Sequence, residues 1–449
     1  MELLGYLNLG NYLLNKMQNI SLPKVLVVGI NPWREDGTAH TLKEIFSCWD
    51  ASRLALIYTK SGLPYTNVAS RFFQISENLI LKNLLKPWKT IGQEVESTKF
   101  VDESLTREED ARYAKAHKHH SMLLTICREI VWLLGHWRGK ALDGFLNDFN
   151  PDMLFIPIYP TVYMGWIQRY VIRKTKKPFV CYLADDNYSY DSCSSLLSYI
   201  HRFWLRKNVK WLSTHCSQMY VIVEKEKEDT DKRFGTNSII LTKSVEFSNR
   251  PFEPRPLNNP IKFVYTGSLV IGRDKTLALI ADAINEINKN GIKAELEIYS
   301  KDEPEASVMS RLNRGASHHR GFIPRNEVNR VQSQADVVVF AEALDGKAAN
   351  IAKLSFSTKI TDYLSNGKCI FAVGRDYIAP IDYFVRNDSA IVATNEGQII
   401  ERLTYLIGNP SVIVEYSKKA YDCAVRNHEK SKVDQRFIES MLNVSRNKS

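Results

Sequence analysis

The stretch KFVYTGSLVIGRDKTLALIADAINEINKNG, Lys262 to Gly291, contains a strand, a glycine loop and a helix in direct succession. Its apolar beginning has the length and composition of a strand in a parallel sheet. Beyond Lys275, apolar residues recur at the spacing of one helical face, and these are Leu277, Ile280, Ala281, Ile284 and Ile287. Gly291 is a typical helix stop. The stretch therefore predicts one β–α unit of an open, doubly wound sheet.

The same alternation of apolar runs and helical segments extends through most of the chain. Before this stretch, the strand candidates are KVLVVGI (24–30), RLALIYT (53–59), MLFIPIY (153–159), PFVCYLA (178–184) and MYVIVE (219–224). After its strand, the candidates are AELEIYS (294–300) and ADVVVFAE (335–342). Between the two groups lies SNRPFEPRPLNNP, residues 248–260, which has four prolines and no periodicity and is typical of a linker.

We therefore predict the α/β fold class, with two Rossmann-like, doubly wound domains that face each other across a cleft. The N-terminal domain is expected over residues 1–250, including a charged helical region at about 88–150. The C-terminal domain is expected over 251–410. A helical tail over 411–449 is expected to pack back on the N-terminal domain. Open α/β sheets bind ligands beyond the carboxyl ends of their strands, so the cleft is the expected site.

Charge and cysteine usage restrict the function classes. The 449 residues carry a net charge of +10, which favours a phosphate-rich ligand, an anionic membrane face or nucleic acid as partner. No nucleic-acid motif occurs, so we expect no nucleic-acid partner. The seven cysteines are scattered and never spaced Cys-x-x-Cys, which argues against a disulfide framework or a structural zinc site. No apolar run reaches about 18 residues, and Glu2 stands where a signal peptide carries positive charge. A cytoplasmic protein is expected.

A second stretch, SFSTKITDYLSNGKCIFAVG from Ser355 to Gly374, places Lys359 in the first turn of a helix. The helix dipole already makes this end positive, which disfavours a cation by about 0.3–1 kcal/mol. A bound anion would reverse that preference, because free N–H groups, the dipole and the ammonium together hold a phosphate. Asp362, three residues on, would then reach sugar hydroxyls. The alternative is an exposed Lys359–Asp362 ion pair worth about 0.2–0.5 kcal/mol.

The glycine loop of the first stretch has the same chemistry. Gly267 and Gly272 permit a close approach of the backbone, and Arg273 and Lys275 stand at the entrance of the helix that follows. Two helix N-termini that carry cations on one sheet edge indicate a shared anion. Together with Asp362, they predict a ligand that has phosphates and a ribose, which is a nucleotide.

In these segments the chain resembles the GT-B fold glycosyltransferases, in particular the retaining family-four type. The matching pieces are the Gly267 loop, RGFIPRNEV (320–328), ADVVVFAE (335–342) and the Ser-Thr-Lys-Ile-x-Asp-Tyr-Leu-x-x-Gly-Lys run from Ser357 to Lys368. The first half matches more loosely, in its NPWREDGTA loop and its PFVCYLADD strand end. The resemblance covers nearly the whole chain. It implies transfer of a sugar from a nucleotide-sugar to a glycan or lipid-diphosphate-linked acceptor, in cell-surface polysaccharide biosynthesis.

The resemblance also implies roles for individual residues. The implied catalytic residues are Lys359, Arg273 and Asp185. The implied donor-binding residues are Gly267, Lys275, Phe322, Glu342, Ser357, Thr358 and Asp362, with Phe322 at the base, Glu342 at the sugar and Asp362 at the ribose. The implied acceptor-side residues are Asp36, Gly37 and Asp186. No metal or other cofactor is expected, because fixed positive charge from Arg273, Lys275 and Lys359 would stabilise the leaving diphosphate.

Several positions depart from the family pattern and keep other functions open. Leu354 stands where a glutamate often recognises the sugar, and Ser268 stands where an arginine is frequent. Asp185 and Asp186 occupy the strand end where a histidine is common, and they are equally consistent with a helix cap in ADDNYSYDS. The alternatives are a nucleotide-sugar epimerase on the same fold and a GT-B-like binding subunit without turnover.

Basic side chains cluster in the first half of the chain, at Arg169, Arg173, Lys174, Lys176 and Lys177, and again at Arg202, Arg206, Lys207 and Lys210. A solvated face explains them. The alternative is peripheral docking on anionic headgroups at the inner face of the membrane. A separate cluster, His117, His119 and His120, has no acidic or cysteine partner at ligand spacing, which favours a solvated helix face over a metal site.

Overall fold

The computed structural model describes residues 21–35, 41–84, 91–98, 122–247 and 252–446. Asp36 and Gly37, predicted on the acceptor side, lie outside these residues, as do the three clustered histidines. The chain forms two compact units. One comprises Met1–Pro157, Thr161–Cys181 and Phe437–Ser449, and the other comprises Ile158–Pro160 and Tyr182–Arg436. The predicted domain boundaries at 250 and 410 both fall inside the second unit.

The first sheet has eight strands in the order β4-β3-β2-β1-β5-β6-β7-β8. Their bounds are β1 Val25–Val28, β2 Leu54–Tyr58, β3 Arg71–Gln74, β4 Gln93–Val95, β5 Met153–Pro157, β6 Phe179–Leu183, β7 Gln218–Val221 and β8 Ile239–Ile240. Strand β1 pairs in parallel with both β2 and β5, whereas the edge strand β4 runs antiparallel to β3. The predicted helical region at about 88–150 contains β4 as well as the helices Met122–Leu134 and Lys140–Phe149. Gln93 and Glu94 are polar and exposed, and Val95 alone does not make an apolar run.

The second sheet has six strands, and all its pairings are parallel. Its order is β11-β10-β9-β12-β13-β14. The bounds are β9 Ile261–Thr266, β10 Ala294–Tyr299, β11 Ser317–Gly321, β12 Val337–Ala341, β13 Cys369–Val373 and β14 Ile391–Ala393. The chain builds outward from β9 to β11, then returns to place β12 on the other side of β9. The sheet therefore has its topological switch point between β9 and β12, where parallel sheets leave a crevice for ligands.

Helices connect the strands of both sheets. Before β9 they are α1 Thr41–Ile45, α2 Glu77–Leu84, α3 Met122–Leu134, α4 Lys140–Phe149, α5 Val162–Thr175, α6 Leu196–His215 and α7 Glu224–Phe234. After β9 they are α8 Arg273–Ile287, α9 Ala306–Leu312, α10 Arg325–Ser333, α11 Gly346–Ala349, α12 Thr358–Ser365, α13 Ala379–Arg386, α14 Glu396–Gly408, α15 Pro410–Asn427 and α16 Lys430–Arg446. Short 3₁₀ turns span Phe46–Cys48, Ala51–Arg53, Asn288–Asn290 and Asn350–Ala352.

Apolar packing explains these elements. In α8, the predicted face is confirmed: Leu277, Ile280 and Ile284 are fully buried in the core of the second sheet. Strands β12 and β13 are buried along their whole length, as expected of central parallel strands. In the first unit, the ring of Phe437 from the C-terminal helix α16 lies 5.3 Å from the ring of Phe46. This aromatic contact fixes the end of the chain to the first unit.

Candidate functional site

Two residues from neighbouring strand ends meet at the switch point of the second sheet. Arg273 begins α8, which follows β9, and Glu342 directly follows β12. The guanidinium donates from Nε to Glu342 Oε2 at 2.9 Å and from Nη2 to Glu342 Oε1 at 2.8 Å. The Glu342 side chain is only 5% exposed, so its charge depends on this bidentate partner. Burial alone would lower the pKa of Arg273, but the Glu342 carboxylate raises it. The pair is charged and fixed in orientation.

Lys359 brings a second cation to the same place. It lies in the first turn of α12, and its Nζ donates to the backbone oxygen of Thr266, the last residue of β9, at 3.3 Å. The Nζ also lies 5.1 Å from the centroid of the Tyr265 ring. Burial and the positive charge of Arg273 lower the pKa of Lys359 to about 8, and Glu342 opposes this shift. The two cations therefore influence each other across the end of β9.

The glycine at 267 is what lets the ammonium come so close to the strand end. Gly267 has φ +144°, and a Cβ built on it would lie 2.3 Å from Lys359 Nζ. Any larger residue would have to displace the ammonium or shift the loop. The predicted contribution of Gly267 was a close backbone approach, and here the backbone approaches Lys359 itself.

Side chains that the sequence analysis did not select hold this loop in shape. Gln332 donates to the Thr266 hydroxyl at 2.8 Å. Asp302, which follows β10, accepts from the Ser268 hydroxyl and from the Leu269 backbone N–H, both at 2.8 Å. The only signal in the sequence is that Asp302 follows a strand that neighbours β9. These hydrogen bonds fix the conformation of the loop, so the loop is preorganised.

The other predicted donor-binding residues are not all brought to this centre. Lys275 is exposed, and since it follows Arg273 by two positions on a helix, it points to a different side. Ser357 is the N-cap residue of α12, and Thr358 is exposed. Phe322 follows the edge strand β11 and is 69% exposed. Because β11 lies two strands from β9, Phe322 stands about 10 Å to one side of the cations, a distance that a nucleoside can span.

Asp362 has a different partner from the one considered above. Its carboxylate pairs with Lys243 at 2.6 Å, while Lys359 donates to Thr266. The exposed i,i+3 pair between Lys359 and Asp362 is thus replaced by two contacts with residues distant in sequence. The Asp362 side chain remains 37% exposed, which leaves its carboxylate able to accept further hydrogen bonds.

Asp185 and Asp186 follow β6 and have separate environments. Asp186 accepts from the backbone N–H groups of Tyr188 and Ser189, at 3.1 and 2.8 Å, and from the Ser189 hydroxyl. Burial by itself would raise the pKa of Asp186, but these hydrogen bonds outweigh burial and lower the pKa. Asp186 thus closes a local turn and does not cap a helix, because the next helix, α6, begins at Leu196 with Ser195 as its N-cap residue. The role of Asp186 on the acceptor side stays a prediction. Asp185 accepts from the Ser355 hydroxyl at 2.5 Å.

The Asp185 carboxyl has a raised pKa. Neighbouring protein displaces solvent from it, and the charge of Asp186 adds to the rise, whereas the Ser355 hydrogen bond opposes it. A third carboxyl, fully buried Glu226 in the first turn of α7, accepts from the Ile222 backbone N–H at 2.9 Å. Its pKa is raised well above the ordinary value by burial, and the nearby aspartates add to this. Glu226 carries no signal in the sequence, because a glutamate in a first helical turn is ordinary.

Neither a metal site nor a membrane span is found in the described part of the chain. Within it, no group of three or more histidine, cysteine, aspartate or glutamate side chains has the arrangement of a metal site. Among the helices of the described ranges, none has the length and apolar character needed to cross a membrane. The expectation of sugar transfer without a metal stays a prediction.

At the level of sequence, no family model and no curated protein matches the chain. At the level of structure, HepE from Anabaena, crystallised in complex with UDP, is similar with a TM-score of 0.61 and 9% identity, covering 94% of this chain and 100% of HepE. HepE in complex with UDP-glucose gives a TM-score of 0.57 and 10% identity over 93% of this chain and 99% of HepE. Sucrose-phosphate synthase from Thermosynechococcus elongatus gives a TM-score of 0.59 and 9% identity, covering 94% of this chain and 98% of the synthase. At such identities the likeness concerns the fold alone, and it confirms the predicted GT-B fold, with two α/β sheets of eight and six strands that are parallel except at the edge strand β4.

Proposed function

We propose that the protein is a glycosyltransferase that moves a sugar from a nucleotide-sugar donor to a glycan or lipid-linked acceptor. The observation that carries the proposal is the meeting of Arg273 and Lys359 at the switch point between β9 and β12. Burial and the positive charge of Arg273 lower the pKa of Lys359, so its ammonium is disfavoured there unless an anion joins it. The crevice at the carboxyl ends of β9 and β12 is where open α/β sheets bind such ligands.

The similar structures support a nucleotide-sugar as that ligand. HepE was crystallised with UDP and with UDP-glucose. A nucleoside diphosphate carries the negative charge that would join the two cations. Its diphosphate would lie between Arg273 and Lys359, its ribose would approach Asp362, and its base would approach the exposed ring of Phe322. Ser357 and Thr358 would offer hydroxyl and backbone N–H groups at the start of α12.

The proposed chemistry is electrostatic. As the bond between sugar and diphosphate breaks, negative charge grows on the leaving phosphate, and preorganised cations stabilise that charge. Glu342 holds the Arg273 guanidinium in one orientation and stands where the donor sugar would lie. Asp185, whose pKa is raised, would accept a hydrogen bond from the acceptor hydroxyl. Retention of configuration and independence from metal ions belong to this proposal.

The test measures binding and turnover separately. Calorimetric titration with UDP and with GDP should show binding of at least one, and Lys359→Ala or Arg273→Ala should weaken it about tenfold or more. In a donor hydrolysis assay, Lys359→Ala should reduce turnover by about 10²–10³. Lys289→Ala is the matched control, because Lys289 is an exposed lysine paired with Glu286 just beyond α8. The assignment is contradicted if Lys289→Ala loses as much turnover as Lys359→Ala, or if Lys359→Ala loses less than about threefold in turnover.

One observation favours a second candidate, a nucleotide-binding subunit without turnover. Leu354, at the position of the expected sugar-recognising glutamate, is 3% exposed and packs as an apolar side chain. Such a subunit would bind UDP or GDP with the same dependence on Lys359. It would release no sugar from any nucleotide-sugar with or without acceptor, so the hydrolysis assay separates the two candidates.

A further inference from the structure

Helix α6 presents a row of large apolar side chains to solvent. We define the α6 apolar face by its six members, Leu196, Leu197, Tyr199, Ile200, Phe203 and Trp204. Leu196 is 77% exposed, Phe203 47% and Trp204 54%. Scattered single apolar residues on a surface are normal, but a contiguous apolar patch on a soluble protein marks an interaction site.

The exposure does not come from a poorly anchored helix. The opposite side of α6 is buried, through Leu205, Val209, Leu212 and their polar neighbours. The first turn is closed by a capping box, in which Ser195 and Ser198 exchange hydrogen bonds. The helix is therefore fixed in orientation, and its apolar face points outward by construction.

The charges on α6 have one sign. Residues 196–215 include four lysines and arginines and no aspartate or glutamate. Arg202 and Arg206 turn toward the preceding loop, where they donate to the backbone oxygens of Asp186 and Tyr188 at 2.7 and 2.6 Å. Lys207 and Lys210 are exposed in the following turns. These two arginines thus correct the expectation that the basic residues of this segment form one solvated face.

The exposed lysines adjoin the apolar face directly. The Lys207 ammonium lies 4.5 Å from the centroid of the Phe203 ring and 4.7 Å from that of Trp204. Aromatic rings beside lysines on a helix that lacks acidic residues match the lipid–water interface, where rings enter the headgroup region and lysines meet lipid phosphates.

We propose that the α6 apolar face docks on an anionic lipid bilayer. Charge complementarity selects this occupant, since the exposed cations of α6 and the net charge of +10 both favour an anionic surface. A second copy of the chain would bring together two helices that carry only positive charge, which is repulsive. The inference stands independently of sugar transfer, although a docked enzyme would meet a lipid-linked acceptor at the bilayer surface.

Vesicle flotation of the full-length protein tests this proposal without any nucleotide-sugar. The vesicles are phosphatidylcholine alone and phosphatidylcholine with roughly 30 mol% phosphatidylglycerol, at low and high salt. One variant combines Ile200→Ser, Phe203→Ser and Trp204→Ser, and a second combines Lys207→Glu and Lys210→Glu. The control combines Ile292→Ser and Tyr405→Ser, because these side chains are 68% and 47% exposed on other elements of the second unit. Circular dichroism and gel filtration verify that each variant is folded and report its oligomeric state.

We expect the wild-type protein and the control to float with the anionic vesicles and to be released partly by salt. The apolar variant should lose about tenfold or more of the binding, and the charge variant a similar amount. Absence of wild-type flotation on anionic vesicles overturns the proposal, as does equal binding by all variants. A wild-type dimer that only the apolar variant dissociates also overturns it, in favour of a second copy as the occupant. Equal flotation of the wild-type protein on neutral and anionic vesicles also overturns the proposal, because the proposed occupant is an anionic bilayer.

Discussion

Binding of a nucleoside diphosphate should cause uptake of a proton at alkaline pH, and Lys359 is the group that takes it up. Burial and the charge of Arg273 lower the pKa of Lys359 to about 8. A diphosphate beside the ammonium favours its charged form, so the pKa in the complex should rise toward the ordinary value of about 10.5. Affinity and proton binding are therefore linked.

The size of the effect follows from these two pKa values. At pH 8.5, about a quarter of the free protein carries a charged Lys359, whereas nearly all of the complex does, so binding takes up about 0.7 proton. At pH 6.5 both states are protonated and uptake is close to zero. Between pH 7 and pH 9.5, affinity should fall roughly 20- to 30-fold, because the unbound lysine must first be protonated.

Calorimetry measures this directly. Titration with UDP or GDP, whichever binds, in buffers of different ionisation enthalpy gives the number of protons exchanged at pH 8.5 and at pH 6.5. Lys359→Ala provides the baseline for protons exchanged by the nucleotide itself, and Lys289→Ala serves as the control for removal of a lysine charge. An uptake below about 0.2 proton at pH 8.5, or the same uptake in Lys359→Ala, would refute the placement of the diphosphate beside Lys359.

Three further outcomes are expected. Gly267→Ala should weaken nucleotide binding about tenfold or more in calorimetry, because its Cβ would lie 2.3 Å from the Lys359 ammonium; unchanged affinity would contradict this. Arg273→Ala should lower the free energy of unfolding by about 2–4 kcal/mol in urea titration, since it leaves buried Glu342 unpaired, and adding Glu342→Ala should cost less than the sum of the two single changes. Burial lowers the pKa of His428 to about 4. Because the unfolded histidine gains a proton at higher pH than the folded one, the free energy of unfolding should fall by up to about 3 kcal/mol as the pH drops from 7 to 4. If His428→Gln keeps the same pH dependence of stability, His428 is not its source.

The local parts of this fold were accessible from the sequence because they depend on short-range rules. The apolar face of α8 and the glycine loop before it lie within one continuous stretch, so spacing alone identified them. Arg273 and Lys359 were singled out because both are cations in the first turn of a helix, where the dipole disfavours them. That they come together follows from parallel topology, since the carboxyl ends of neighbouring strands share one edge of the sheet.

The partners of these residues were not accessible, because each comes from a distant part of the chain. Glu342 is 69 positions from Arg273, and Lys243 is 119 positions from Asp362. Their contacts depend on which strands are neighbours and on side-chain orientation, and neither leaves a periodic signal. For the same reason the sequence suggested roles for Asp362 without the lysine that holds it. The outward face of α6 was also hidden, because both of its sides are rich in large apolar residues.

The Arg273–Glu342 pair also decides how strongly the site can hold a diphosphate. When Lys359 is protonated, the charges of Arg273, Lys359 and Glu342 sum to +1 at the end of β9. This net charge is smaller in magnitude than the negative charge of a diphosphate. The starts of α8 and α12 must supply the rest through their dipoles and free N–H groups. If the proposed function holds, a site balanced in this way would bind the donor moderately and gain most when charge grows on the leaving phosphate. Glu342 would then limit ground-state affinity while it fixes the guanidinium, which would place binding energy in the transition state, where it raises turnover.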